Sequence, residues 1–149
     1  MNYLILGAAG FIGTNLTLAL AQNENNKITL VDTKKEYFSA VIGMNLRNIS
    51  IYEEKIDENA DFEEMLQGQD IVYHLVSTTV PSTSNQQVAK ELSANVIMTA
   101  NLLEVCVKCG VKKVVFISSG GTVYGKELKC PLKEDTPTNQ FLWRSKGND

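Results

Sequence analysis

Residues Tyr3-Leu4-Ile5-Leu6-Gly7-Ala8-Ala9-Gly10-Phe11-Ile12-Gly13 decide the fold. The first four form an apolar run, glycines recur at every third position after it, and a helical pattern opens at Phe11 and runs to Gln22. A strand that passes at once into a helix needs small residues at the turn. Gly7 permits the bend, Gly10 lets the backbone approach a ligand, and Gly13 lets helix and strand pack closely. The helix then presents its first amide groups, with the positive end of its dipole, to whatever lies above the turn, ideally a pyrophosphate. A second apolar run, Ile28-Thr29-Leu30-Val31, closes at Asp32, about twenty residues beyond Gly13, where a carboxylate can accept hydrogen bonds from ribose hydroxyls. The strand before, the helix after and the acid at that distance predict a dinucleotide site. The alternative is an ordinary strand–helix turn with chance glycines. An acid at position 32 repels a 2′-phosphate, so the expected dinucleotide is NAD rather than NADP.

Outward from this unit, strand and helix patterns alternate. Strands are expected near residues 2–7, 27–32, 49–56, 70–76 and 112–119, and helices near 11–22, 39–46, 61–67 and 85–109. Parallel strands joined by right-handed helical crossovers give a Rossmann-like, doubly wound α/β sheet of five strands in the order 3-2-1-4-5. The continuous apolar runs Ile71–Val76 and Val114–Ile117 read as strands covered on both faces. Asp61 is placed to cap a short helix ending at Gly68, and Gly110 to end the long one. Along the helix 85–109, Val88, Leu92, Val96, Thr99, Leu103 and Cys106 form a stripe expected to face the sheet. Ala89, Leu102 and Val105 leave a second apolar side, a place for a further helix or a partner chain.

A chain of 149 residues with 44% hydrophobic content suits one domain with a sizeable core. A net charge of −3 without a basic stripe gives no support to nucleic-acid binding, and no segment is long enough to span a bilayer. The N-terminus enters a strand directly, without a charged leader or cleavage pattern, which predicts a cytoplasmic protein. Cys106, Cys109 and Cys130 are too few and too oddly placed for a disulfide framework. Cys106-Val-Lys-Cys109 has a redox or zinc spacing, yet it sits late in a helix, with only Cys130 and His74 elsewhere as further ligands. Two helix residues on adjoining faces account for it better.

Taken in order, several segments resemble the extended short-chain dehydrogenase/reductases, specifically the NAD-dependent sugar-nucleotide epimerases and dehydratases of the UDP-glucose 4-epimerase type. They are Gly7-x-x-Gly10-x-x-Gly13, Asp32, His74-Leu75-Val76-Ser77, Asn95 through Glu104, Gly110 through Ser119, and Thr122-Val123-Tyr124-Gly125. The resemblance covers residues 1–139, as an incomplete NAD-binding domain, with 140–149 a tail outside the family pattern and the substrate domain absent. It implies that Phe11 and Ile12 lend backbone amides to the pyrophosphate and that Asp32 holds the adenosine ribose. Ile56 would lie beside adenine, while Leu75, Val76 and Ser77 would line the cofactor at the fourth strand. Asn95 and Ser118 match positions near the nicotinamide ribose. His74 is explained by the family motif as a residue at a strand end, without a role as a base. The segment Ser77–Ser84 is either a capping loop or part of a bed for a phosphate-rich ligand.

The family's reaction uses a tyrosine and a lysine four residues apart on a helix, with a serine or threonine hydroxyl after the fifth strand. The position of that hydroxyl is Gly120 here, so Ser119 or Thr122 would substitute. The tyrosine–lysine pair, due about twenty residues after Tyr124, has no counterpart in Gln140-Phe-Leu-Trp-Arg-Ser-Lys-Gly-Asn-Asp149. The expected protein is a truncated NAD-binding part of a nucleotide-sugar epimerase or dehydratase, inactive alone and open to self-association as a homo-oligomer. Two alternatives stand beside it: an NAD-sensing or regulatory module completed by a partner, and an enzyme with an unusual Ser/Thr-based site. Read one nucleotide later, the codons of residues 141–147 permit Tyr-Gly-x-x-Lys, so a frameshifted tail is the expected origin of the departure.

Overall fold

A computed structural model describes residues 1–77, 88–118, 123–124 and 131–137. The chain divides into a unit spanning Met1–Phe116 and a second spanning Ile117–Asp149. The first unit carries strands β1 (Asn2–Leu6), β2 (Lys27–Asp32), β3 (Ile49–Glu53), β4 (Ile71–His74) and β5 (Lys113–Phe116). They form one parallel sheet in the order β3-β2-β1-β4-β5, as the sequence predicts. Between them run α1 (Phe11–Ala21), a 3-10 turn (Lys35–Phe38) leading into α2 (Ser39–Ile42), and α3 (Phe62–Leu66). A helical run between β4 and β5 comprises α4 (Val88–Glu91), a π-helical stretch (Leu92–Ile97) and α5 (Met98–Lys108).

Strand β1 is central, and its side chains alternate between two cores. Tyr3 and Ile5 pack with Ile28 and Leu30 of β2, Ala21 of α1, and Phe38 and Val41 around α2. Leu4 and Leu6 pack on the opposite face with Val31, Val72, Phe62 and Leu66 of α3, and Met98, Leu102 and Cys106 of α5. Leu4, Ile5 and Leu6 are fully buried, each worth about 1.5–3 kcal/mol in apolar surface removed from water. Cys106 belongs to that core, where burial and then the neighbouring Cys109 push its thiol up to about 11, leaving it inert as a nucleophile. Cys130 lies outside the described residues.

The local signals at the helix ends act as read. Asp61 accepts from the amides of Glu63 and Glu64 and so caps α3. Gly68 and Gly110 hold φ of +72° and +71° just past the ends of α3 and α5. Four expectations are corrected. Strand β3 stops at Glu53, not 56, because the chain leaves the sheet after one further bond, Glu54 N–H to Asp32 O at 3.0 Å. The helix expected over 39–46 is the 3-10 turn plus the short α2, closed by Asn45 in the left-handed region. The run Val114–Ile117 is not covered on both faces, since Phe116 is exposed on β5, the edge strand that the expected order 3-2-1-4-5 implies.

The fourth correction concerns the long helical run. Its buried face is Met98, Leu102 and Cys106, whereas Val88, Leu92, Val96 and Leu103 are exposed. The run is apolar on two sides about one residue apart, and spacing alone cannot choose between two such stripes. The π-helical stretch changes the residue count per turn midway, so positions before it do not continue one face of α5. Thr99 lies on the border, its hydroxyl 3.0 Å from Nε2 of His74.

His74 is buried at the end of β4, edge-on to Phe116 at 5.2 Å, and its Nδ1 has no partner among the described residues. Burial pushes the ring below its ordinary value, so the folded state holds His74 neutral. As pH falls below about 6.5, the unfolded chain takes up this proton and the folded chain resists it, so stability is lost toward the lowered folded value. Because this is the chain's one histidine, the urea midpoint should fall between about pH 7 and pH 5.5, and His74→Phe should flatten that slope. A midpoint equally flat in the unaltered protein would count against a buried neutral imidazole.

Candidate functional site

The C-terminal ends of β1, β2 and β4 open onto one cleft of about 920 Å³. It lies where the strand order reverses between β1 and β4, the crevice in which doubly wound sheets bind ligands. Each wall follows from the local sequence. Gly7 ends β1 with φ +76°, and a Cβ there would lie 3.1 Å from the backbone of Leu75 and Val76 beyond β4. Gly13 faces Ala8, whose carbonyl oxygen would lie 2.4 Å from an added Cβ, so only a hydrogen fits between α1 and the turn.

Gly10 differs from both. A Cβ at Gly10 would make ordinary contact with Gly7 O at 3.5 Å and nothing closer. Gly10 lines the cleft, so a methyl group would take up the space beside the turn rather than clash with the protein. As N-cap of α1 it supplies no capping side chain, and the first amides of the helix, those of Phe11 and Ile12, remain available to an anion.

Asp32, at the tip of β2, also lines the cleft. Its Oδ2 accepts from the Ala9 amide at 3.0 Å and its Oδ1 from the Thr33 amide at 2.8 Å. A carboxylate offers about four lone-pair positions, so ribose hydroxyls can still be accommodated. An uncapped helix start, a glycine that keeps space open and an acid at the next strand end fit the phosphate and ribose portions of a dinucleotide.

Residues 54–59 form the wall beyond β3. Ile56 is buried in the core and lines the cleft. Lys55 and Asp57 pair at 2.8 Å. The hydrogen bond from Lys55, then that from the Asn59 amide, holds the Asp57 carboxyl below the usual carboxylate range. The facing wall is built by Leu75, Val76 and Ser77 after β4, with Ala89 and Lys90 of α4 and Ser93 and Ala94 of the π-helical stretch. Lys90 adds a second cation to Lys55 in a cleft that also carries Asp32, Glu54, Asp57 and Glu58.

Of the residues expected to hold cofactor, Gly7, Gly10, Asp32, Ile56, Leu75, Val76 and Ser77 meet in this one cleft. Phe11 and Ile12 stand exposed at the start of α1, and Gly13 is buried behind it. Asn95 sits in the π-helical stretch two residues beyond Ser93 and does not line the cleft. Ser118 is exposed in the second unit. Ser119 and Thr122, the candidate catalytic hydroxyls, and most of Ser77–Ser84 lie outside the described residues. Thr33, Lys90 and Ser93 also line the cleft and are not among the expected residues. Thr33 was signalled only by following Asp32, and Lys90 and Ser93 depend on a π-helical turn with no spacing signature. Among the described residues no tyrosine, histidine or cysteine lines the cleft, and no group of three His, Cys, Asp or Glu could hold a metal. No helix among them is long and apolar enough to cross a membrane. The arrangement is equipped to bind an anionic, ribose-containing ligand.

Comparison with known proteins bears on this cleft. Residues 3–146 match the model of the NAD dependent epimerase/dehydratase family. A UDP-glucose 4-epimerase of Halalkalibacterium halodurans is 30% identical over 140 residues, covering 93% of this chain and 40% of that protein. The crystal structure of UDP-glucuronic acid 4-epimerase from Bacillus cereus, in complex with UDP-glucuronic acid and NAD, superposes with a TM-score of 0.79 at 28% identity. That match covers 94% of this chain and 46% of the epimerase. UDP-N-acetylglucosamine 4-epimerase from Methanobrevibacter ruminantium M1 gives a TM-score of 0.74 at 30% identity, over 94% of this chain and 44% of that one. The chain thus spans less than half the length of each of these relatives. With the glycine turn, the acid after β2 and the sheet order all inside the matched span, this chain belongs to the NAD-dependent epimerase/dehydratase family.

Proposed function

We propose that residues 1–139 form an NAD-binding domain of nucleotide-sugar epimerase or dehydratase type that binds the cofactor but does not turn over a sugar nucleotide by itself. The observation that carries the reading is the single cleft joining the glycine turn, the uncapped start of α1 and Asp32. The amides of Phe11 and Ile12 would hold the pyrophosphate, Asp32 the adenosine ribose, and Ile56 the adenine side. Leu75, Val76 and Ser77 would border the cofactor just beyond β4, with Asn95 toward its nicotinamide half. When bound, NAD supplies a hydride acceptor for a sugar carbon. The chain's own contribution is to bind and orient it. Proton abstraction from a sugar hydroxyl needs a tyrosine tuned by a nearby lysine, and this chain has no tyrosine after Tyr124.

Calorimetric titration tests the cofactor assignment. NAD should bind more tightly than NADP, and Asp32→Ala should weaken NAD by on the order of 1–3 kcal/mol. NADP binding equal to or tighter than NAD would refute it.

Assays of the 149-residue chain with UDP- and dTDP-sugars should show no epimerase or dehydratase turnover, since loss of the general base removes about 10²–10⁴-fold of rate. Turnover abolished by Ser119→Ala or Thr122→Val would instead establish a Ser/Thr-based site.

A second reading, a module completed by another chain or a second copy, is favoured by the exposed apolar side chains Val88, Leu92, Val96, Leu103 and Val107 of this helical run. Sedimentation at several concentrations should then reveal association. A monomer throughout, with a high melting temperature, would weigh against that reading.

A further inference from the structure

Three successive amides of the glycine turn are directed at the end of β2. Gly7 and Ala8 donate to the carbonyl of Val31 at 2.9 and 3.2 Å, and Ala9 donates to Oδ2 of Asp32 at 3.0 Å. The first two bonds are backbone to backbone and form whatever side chains are present. The third depends on one side chain. We propose that Asp32 is a positioning residue for the phosphate-binding turn, in addition to the ribose-binding role assigned above, on which this inference builds.

The physical case rests on how few restraints the turn has. Beyond Ala9 its next amide, that of Gly10, reaches Gly7 O only at 3.4 Å. Between Ala8 and the first helical bond, Thr14 N–H to Gly10 O at 2.9 Å, the Asp32 contact is therefore the short tie from the turn to the sheet. The second carboxylate oxygen is fixed by the Thr33 amide at 2.8 Å, so the group is held from both sides. A charged acceptor on a backbone amide makes a stronger bond than a neutral one. Held in this way, Ala9 directs its N–H at β2, and the amides left for phosphate are those at the start of α1. The cofactor meets a cradle already formed, and less ordering is lost on binding.

This assigns a sign that simple electrostatics does not. Asp32 is an anion beside an anion site, so by Coulomb repulsion alone Asp32→Ala should strengthen binding of inorganic pyrophosphate, which has no ribose. With the carboxylate as the tie, the same change should weaken it. The test is amide hydrogen exchange by NMR on the ligand-free chain, followed by titration with inorganic pyrophosphate. In the unaltered protein the Ala9 amide should exchange at least about fivefold more slowly than those of Phe11 and Ile12. In Asp32→Ala that protection should vanish while the amides of Leu4, Ile5 and Leu6 stay protected, and pyrophosphate should bind more weakly. An Ala9 amide that exchanges as fast as Phe11 in the unaltered protein overturns the proposal without any variant. Unchanged Ala9 protection in Asp32→Ala overturns it too, as does equal or tighter pyrophosphate binding. If Ala9 is protected through Asp32 but neither NAD nor pyrophosphate binds, the tie stands and the cofactor assignment fails.

Discussion

Helix α1 leaves strand β1 through a space that admits hydrogen atoms and nothing larger. A methyl group at Gly13 would overlap the Ala8 carbonyl at 2.4 Å, and one at Gly7 would press on the backbone of Leu75 and Val76. Both contacts are with backbone, which cannot swing aside as a flexible side chain would. Because the helix starts so close to the strand, its first amides stand at the sheet's end rather than off to one side. Because Gly7 admits Leu75 and Val76, the end of β4 comes up against the turn and closes the crevice. The cleft is a consequence of how closely main chains approach, and the side chains around it complete what that approach begins.

The other half of the cleft depends on a different device. The helical run after residue 87 must pack against the sheet through Met98, Leu102 and Cys106 and also bring Ser93 and Ala94 to the cleft wall. The π-helical stretch lies between these two demands, and a single extra residue per turn re-aims everything ahead of it. The hydrogen bond between His74 and Thr99 joins the last residue of β4 to the first turn of α5. Leu75 follows His74 directly, so the same bond fixes the start of one cleft wall relative to the helix that carries the other.

What the sequence disclosed follows from the range of the forces involved. The glycine spacing, the apolar runs and the caps at Asp61, Gly68 and Gly110 act within a few residues, and sheet order, turn and Asp32 were all legible from them. Strand ends and the buried face of the long helix depend on contacts distant in sequence. Stripes through Leu102 and through Leu103 are equally apolar, and which one the sheet accepts is settled by packing on Leu4, Leu6 and Val72. Thr33, Lys90 and Ser93 went unread because their place in the cleft comes from three separate elements. The partial reading of 54–59 has the same origin: Ile56 is fixed by the core, while Lys55 and Asp57 are placed by each other.

A floor made of peptide groups has a consequence for how such a protein can drift over time. Around the turn, the few positions that cannot change are those where a side chain would collide with main chain. Exposed positions beside them, such as Phe11 and Ile12, can change in size and polarity as long as the backbone path is kept. A protein with that division can lose most of its identity with a relative and still present the same amides at the same place. New ligands can then be accommodated by altering the walls, without rebuilding the turn.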